Sequence, residues 1–323
     1  MKVIVTGATG ALGRALTRHY SAKGDEVIAV GRMKNPPANL LKYATYHFAD
    51  ITQPFQLPDA EVCIHAAALS DDKGSEEAFS AANITGTLNV LNATKNCRKF
   101  VFISSSSVYM PSPQVVKETD AKDVPELSAY GRSKLRSEKA LIENYKGESC
   151  FILRARALYG PGDIKILPRM LKLVKKEKIY RPGTMNINVS MTHYRNLCAA
   201  IDKCMESPLK GIRTYNIADE QTYVLAESVR LLMKSIYGKQ LEEKQTPIWI
   251  LKAFSKFNLG GITPLLVRSL TNDMVLDISR IKNEVGYRSV TNLNHSLPEL
   301  SAWVKSIGGP EVLKGAGKHL AWE

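Results

Sequence analysis

A tyrosine and a lysine stand four residues apart in SAYGRSK, Ser128 to Lys134, a segment with little else to bury. A free phenol ionises near pH ~10 and a lysine slightly above that, so neither alone does acid–base chemistry at neutral pH. On a helix, a spacing of four puts both side chains on one face. A nearby ammonium favours the phenolate and draws the tyrosine pKa towards neutrality. Tyr130 and Lys134 are therefore a candidate acid–base pair. Such pairs are common on surface helices, and this one gains weight from its company. ISSSSVY, Ile103 to Tyr109, closes an apolar strand and sets hydroxyls at the carboxyl edge, where open α/β sheets bind ligands. Three of the four serines read as hydrogen-bonded strand ends. Ser105, 25 residues before Tyr130, is the exception.

TGATGALG, Thr6 to Gly13, follows the strand KVIV and opens a helix. In that setting glycines at 7, 10 and 13 permit a tight turn, close approach to a pyrophosphate and close helix-to-strand packing. The helix start offers free N–H groups to the phosphates. Gly7, Thr9, Gly10, Ala11, Leu12 and Gly13 are thus expected at a dinucleotide. The second strand ends VIAVGRMK, with Gly31 where a ribose-binding carboxylate would stand and Arg32 beside it. A guanidinium can pair bidentately with a 2′-phosphate, which favours NADP(H), with NAD as the alternative and adenine stacking as the other use of Arg32. Asp50, followed by Ile51, falls where an adenine-ring contact is expected, or caps its strand.

These groups need a frame. Through about residue 110, short β-branched runs alternate with helical segments: KVIVTG, a helix from Ala11 to Lys23, EVIAVG, ATYHFAD, EVCIHAA, a helix from Glu76 to Asn96, and KFVFISS. This predicts an α/β doubly wound parallel sheet covered by helices on both faces. Later, SCFILRARALYGPGD suggests another central strand, KILPRMLKLVKKEK (Lys165 to Lys178) has helical spacing, and TYNIAD returns as a strand. We expect a Rossmann domain over residues 1–160 and a smaller, interleaved C-terminal substrate lobe over 161–323, with about 189–219 returning to the first. The 323 residues, 44% hydrophobic and 23% charged, exclude disordered and fibrous classes. The net charge of +13 is scattered, densest in KLVKKEK, and reads as a solvated face, so no nucleic acid is expected. Five cysteines without C-x-x-C read as buried free thiols of a reducing cytoplasm. No apolar run reaches the ~18 residues of a membrane span, and no metal is implied.

TGATGALG, HAAA (His65 to Ala68), NITGT (Asn83 to Thr87), SSSSVY, YGRSK, LYGPGD, YNIAD and LDISRIKNEVGYRS run in order along essentially the whole chain. In this the chain resembles the extended short-chain dehydrogenase/reductases. The resemblance implies that Tyr130 is the catalytic acid–base, that Lys134 lowers its pKa and holds the nicotinamide ribose, and that Ser105 hydrogen-bonds the reacting oxygen. It implies that Asn83 supports a proton path, that Ala66, Ala67 and Ala68 border the cofactor, and that the helices around Asn83–Asn96 and Ser128–Tyr145 form a homodimer.

Sugar epimerases of this family usually carry an asparagine after the LR strand and an arginine four residues before a later histidine, both serving a nucleotide diphosphate. Here those places hold Ala157 and Val189. RALYGPGD…LPRMLKL looks closer to the 3β-hydroxysteroid dehydrogenase-like branch, whose resemblance implies an apolar pocket. Trp249, Phe254 and Phe257 lie at helical spacing in PIWILKAFSKF and could cover such a ligand, although lobe core or subunit contact is the plainer use. Arg195 stands where the family usually has an acidic residue. The expectation is an NADP-dependent oxidoreductase acting on a secondary alcohol or ketone of a small, largely apolar substrate. The alternatives are a nucleotide-sugar epimerase or dehydratase and a non-catalytic dinucleotide sensor or RNA-binding relative.

Overall fold

The computed structural model describes residues 1–70, 74–256, 263–315 and 322. Apolar runs give β1 (Lys2–Thr6), β2 (Glu26–Gly31), β3 (Thr45–Phe48), β4 (Val62–His65), β5 (Lys99–Ser105) and β6 (Ser149–Ala155). With Gly211–Ile217 they make one seven-stranded sheet in the order Gly211–Ile217, β6, β5, β4, β1, β2, β3, paired in parallel throughout. Strand order reverses between β1 and β4, which opens a crevice at their carboxyl ends. This is the doubly wound Rossmann architecture that the alternation predicts.

Side-chain alternation along the central strands builds a core on each face. Val101, Ile103, Phe151 and Leu153 pack with Leu16 and Tyr20 of α1 (Ala11–Ala22) and with Leu197 and Ile201 of helix Tyr194–Glu206. Phe100, Phe102, Cys150 and Ile152 face the other way, onto Val90, Leu91 and Leu141. All five cysteines are buried and unpaired. The helical segment expected from Glu76 to Asn96 is Glu76–Phe79, one π-helical stretch Ser80–Thr85, and Gly86–Ala93.

A second apolar cluster joins Leu167, Leu171, Val229, Leu232, Leu300 and Trp303 beyond the sheet. Here the sequence reading needs two corrections. The helix expected over Lys165–Lys178 covers only Ile166–Leu171, after which Val174–Lys175 and Lys178–Pro182 form a hairpin. Lys176 and Glu177 both take positive φ, 46° and 55°, the left-handed pair that a two-residue hairpin turn needs. Helix Ile248–Lys256 forms, but Trp249 is 67% and Phe254 44% exposed, so these aromatics are not lobe core, and Phe257 lies outside the described residues. Near the other end of the chain, Trp322 is buried in the first core cluster, and its indole N–H donates to the Ala8 carbonyl at 3.0 Å.

Candidate active site

The helix carrying Tyr130 spans Ala129–Asn144. Ser128 starts it, its hydroxyl accepting the Gly131 N–H at 3.0 Å. A Cβ on Gly131 would lie 2.1 Å from the Ser107 carbonyl oxygen, so only glycine lets this first turn press on the serine run. That contact brings Tyr130 to Ser105. The Ser105 hydroxyl accepts the Ser107 N–H at 3.1 Å, which caps the turn Ser106–Val108 and fixes the hydroxyl at the end of β5. Burial raises the Tyr130 phenol, and its hydrogen bond with Ser105 works in the opposite direction.

Lys134 is buried beneath, its ammonium donating to the Ile103 carbonyl at 2.8 Å and lying 3.9 Å from the centre of the Phe102 ring. Burial lowers it to about 7, against the attraction of Glu138. This corrects the expectation of a depressed phenol. The ammonium is engaged with β5 and is not among the groups that shift Tyr130, whose pKa rises because the site closes around the ring.

Asn83 lies in the π-helical stretch and is wholly buried. Its side chain accepts the Leu69 N–H at 2.7 Å and donates to the Leu69 carbonyl at 3.0 Å and the Ser133 hydroxyl at 2.8 Å. Its carbonyl accepts from Thr87 at 2.6 Å and Ser137 at 2.7 Å. The residue thus ties the β4 exit to the Tyr130 helix, a positioning arrangement in which every side-chain atom is engaged within the protein. Beside it, His65 was only part of a quoted motif in the sequence. It sits between Thr6, 2.7 Å from Nδ1, and Thr87, 3.0 Å from Nε2. Because Thr87 donates to Asn83 and Thr6 accepts from Ala67, the network assigns the ring proton to Nε2. Burial, then Lys134, lowers His65 to about 3, so it is neutral. A histidine in an otherwise apolar strand was the available signal.

At the glycine turn Gly7 has φ of 69°, and a Cβ there would meet Ala67 at 2.8 Å. A Cβ on Gly13 would come 2.2 Å from the Gly7 carbonyl oxygen. Gly10 caps α1 without a side-chain bond, and Thr9, Ala11 and Leu12 line the same turn. Ala66, Ala67 and Ala68 continue β4 opposite it. This cradle, with the unblocked start of α1, fits a dinucleotide pyrophosphate. Arg32 is exposed at the end of β2, close enough to help depress Asp50, whose main cause of lowering is the Thr52 N–H it accepts at 3.0 Å. Asp50 is thus a strand-end cap in this structure; the Ile51 carbonyl accepts from Asn89 at 2.8 Å.

On the substrate side, Ala157 has φ of 43°, a left-handed conformation that asparagine tolerates better, and it offers no polar side chain. Val189 is built into the second apolar cluster. Arg195, unexplained by sequence, is paired with Glu299, which also lies 3.0 Å from His193. Glu299 lies on helix Leu293–Ser306. Asp219, buried, accepts from Tyr159 at 2.8 Å, Tyr223 at 2.9 Å and the His193 N–H at 2.9 Å, which ties two tyrosines of the second apolar cluster to the exit of strand Gly211–Ile217.

Comparison with known proteins agrees with this geometry. Residues 3–218 match the profile described as the NAD dependent epimerase/dehydratase family. The chain is 28% identical to the uncharacterised protein YbjS of Escherichia coli over 95% of its own length and 99% of that protein. It is 24% identical to a 2-alkyl-3-oxoalkanoate reductase of Stenotrophomonas maltophilia, covering 75% of this chain and 78% of the relative. A decarboxylating sterol-4-alpha-carboxylate 3-dehydrogenase of Saccharomyces cerevisiae is 23% identical, with 94% and 97% covered. Among solved structures, a UDP-glucuronic acid 4-epimerase from Bacillus cereus in complex with NAD superposes with a TM-score of 0.76 at 21% identity, over 95% of this chain and 99% of that one, which shows a shared fold.

Proposed function

The chain belongs to the NAD dependent epimerase/dehydratase family, the extended short-chain dehydrogenase/reductases, and from that premise we propose that it is an NADP-dependent oxidoreductase interconverting a secondary alcohol and a ketone on a largely apolar small molecule. The observation that carries this reading is Ser105 and Tyr130 brought together at the carboxyl edge of β5 with Lys134 beneath. Two of the relatives' names support it, the 2-alkyl-3-oxoalkanoate reductase and the sterol-4-alpha-carboxylate 3-dehydrogenase, since both describe redox chemistry at a C3 oxygen. Ala157 and Val189 provide no donors for a buried diphosphate, which would then lack compensation.

The bound nicotinamide supplies or accepts the hydride. Ser105 donates a hydrogen bond to the substrate oxygen and fixes it. Tyr130 gives that oxygen its proton in reduction and takes it in oxidation. A phenol raised by burial is predominantly protonated at neutral pH, the form needed for reduction. Lys134, lowered to about 7, changes charge within the working range and, as the family resemblance implies, would hold the nicotinamide ribose. Arg32 pairs with the 2′-phosphate. The working form we propose is a cytoplasmic homodimer, in keeping with five unpaired thiols. Among the described residues no helix is long and apolar enough to cross a membrane.

Tyr130→Phe tests the reading. It should keep NADPH affinity and lower kcat by ~10²-fold or more, the scale of acid–base catalysis. Near-normal turnover of a carbonyl substrate by that variant removes Tyr130 from the mechanism.

A further inference from the structure

Helix Ile248–Lys256 turns its apolar side outward. At about 3.6 residues per turn, Trp249, Ile250, Ala253 and Phe254 fall on one continuous arc of roughly 140°, and Ser255, the buried residue of this helix, falls opposite it. Trp249 is 67% exposed, more than any other large apolar side chain among the described residues, and Phe254 is 44% exposed. Lys252 and Lys256, both exposed, stand three and seven residues after Trp249 and line that margin of the arc. Helix Pro264–Thr271 packs against this one, buries Val267 and leaves Leu266 exposed. Water here meets aromatic surface of the kind that a surface helix ordinarily buries.

Charge says what covers the arc. Residues 244–272 hold Lys244, Lys252, Lys256 and Arg268 and no aspartate or glutamate, in a chain with 31 acidic residues. Among the described residues no carboxylate pairs with Lys252, Lys256 or Arg268. A second copy laid face to face would bring these cations together without a counter-charge. An anionic lipid surface matches both halves of the pattern. Indole and phenyl rings settle at the headgroup boundary, while lysine stems run along the apolar face and carry their ammonium groups to the phosphates. We propose that helices Ile248–Lys256 and Pro264–Thr271 form a docking surface for an anionic lipid bilayer, on which the protein lies without crossing it. The pair is anchored directly after its second helix, where the Asp273 carboxylate accepts the Asn188 N–H at 2.8 Å and the Asp273 carbonyl accepts the Ser112 N–H at 3.1 Å. This surface is independent of the reaction proposed above.

The test co-sediments the full chain with vesicles of phosphatidylcholine alone and with vesicles in which roughly a third of the lipid is phosphatidylglycerol, and records tryptophan emission. Of the three tryptophans, Trp303 and Trp322 are already buried, so a blue shift on adding vesicles reports Trp249. Wild type should bind the anionic vesicles ~30-fold more tightly than the neutral ones, about fivefold for each of the two lysines, and added salt should release it. Lys252→Gln with Lys256→Gln should remove most of that ratio. Trp249→Ser with Phe254→Ser should weaken binding by ~10²-fold. Both of these positions are exposed, so the urea midpoint of the variant should match wild type, which separates loss of docking from loss of folding. No binding to either vesicle, equal affinity for both, or binding that survives Trp249→Ser with Phe254→Ser overturns the proposal. So does a species larger than a dimer in light scattering that this variant dissolves, without vesicle binding, since the face then belongs to a second copy of the chain.

Discussion

Gly31 and Arg32 are the pair on which the proposed preference for NADP rests. A Cβ on Gly31 would stand 3.0 Å from the Tyr46 hydroxyl, which itself donates to the Met33 carbonyl at 2.9 Å and accepts the Met33 N–H at 3.1 Å. Tyr46 thus holds the segment after β2 where a carboxylate would otherwise project, and leaves Arg32 exposed beside it. Arg32→Gln should weaken NADPH binding by about 10- to 150-fold, a charge-assisted pair being worth ~1.5–3 kcal/mol, and leave NADH affinity nearly unaltered. Equal losses for both cofactors in a titration would mean that Arg32 stacks on adenine and does not read the phosphate. At this scale the sequence revealed which residues meet, because motif spacing fixes backbone geometry. It did not reveal their electrostatics. Lys134 turns to the Ile103 carbonyl, Asn83 is consumed by Leu69 and Ser133, and Arg195 finds Glu299, 104 residues away. Each outcome depends on which partner tertiary packing brings nearest.

Between elements, buried polar links do the work of alignment. Glu138 of the Tyr130 helix holds Arg154 of β6 and accepts from Ser104 of β5; Arg154 in turn meets Tyr109, whose hydroxyl donates to Asn216 at 2.6 Å in the edge strand. Arg154→Met should destabilise the fold by ~3–5 kcal/mol, since it leaves Glu138 charged and buried, whereas adding Glu138→Leu should recover much of that loss. Urea unfolding of the single and double variants checks this, and equal stability of the two would refute it. The His65 link has a pH signature. Its native pKa is about 3 and its unfolded one ~6.5, so between these values the unfolded chain binds the proton and stability falls as pH falls. Asp163, raised to about 6 by burial, acts oppositely below that pH because its native form takes up the proton first. The difference between wild type and His65→Gln isolates the histidine: the stability gap should shrink by about 1.4 kcal/mol per pH unit below 6.5, read from urea midpoints at pH 7, 5.5 and 4. A constant gap would show that His65 is not held neutral. Element order was legible because strands buried on both faces read as continuous apolar runs. The Val174–Pro182 hairpin was not, because its two-residue turn is made from lysine and glutamate in place of glycine or asparagine.

For the whole molecule, the proposed dimer needs a surface. On the Tyr130 helix Ile142 is 49% exposed and follows the outward-facing Arg136 and Lys139. A two-fold pairing of this helix and Gly86–Ala93 with their copies would cover it. Light scattering at micromolar concentration should give twice the 35.7 kDa chain mass, and Ile142→Glu should shift the protein towards monomer; a monomeric wild type would refute the pairing. The contact between Trp322 and Ala8 has another kind of consequence. It joins the first glycine turn to a residue 314 positions later. A ribosome delivers the turn 314 residues before the indole. Throughout translation up to that point, the Ala8 carbonyl has to wait for the group that will shield it. The cradle is therefore completed only after the chain as far as Trp322 has been made.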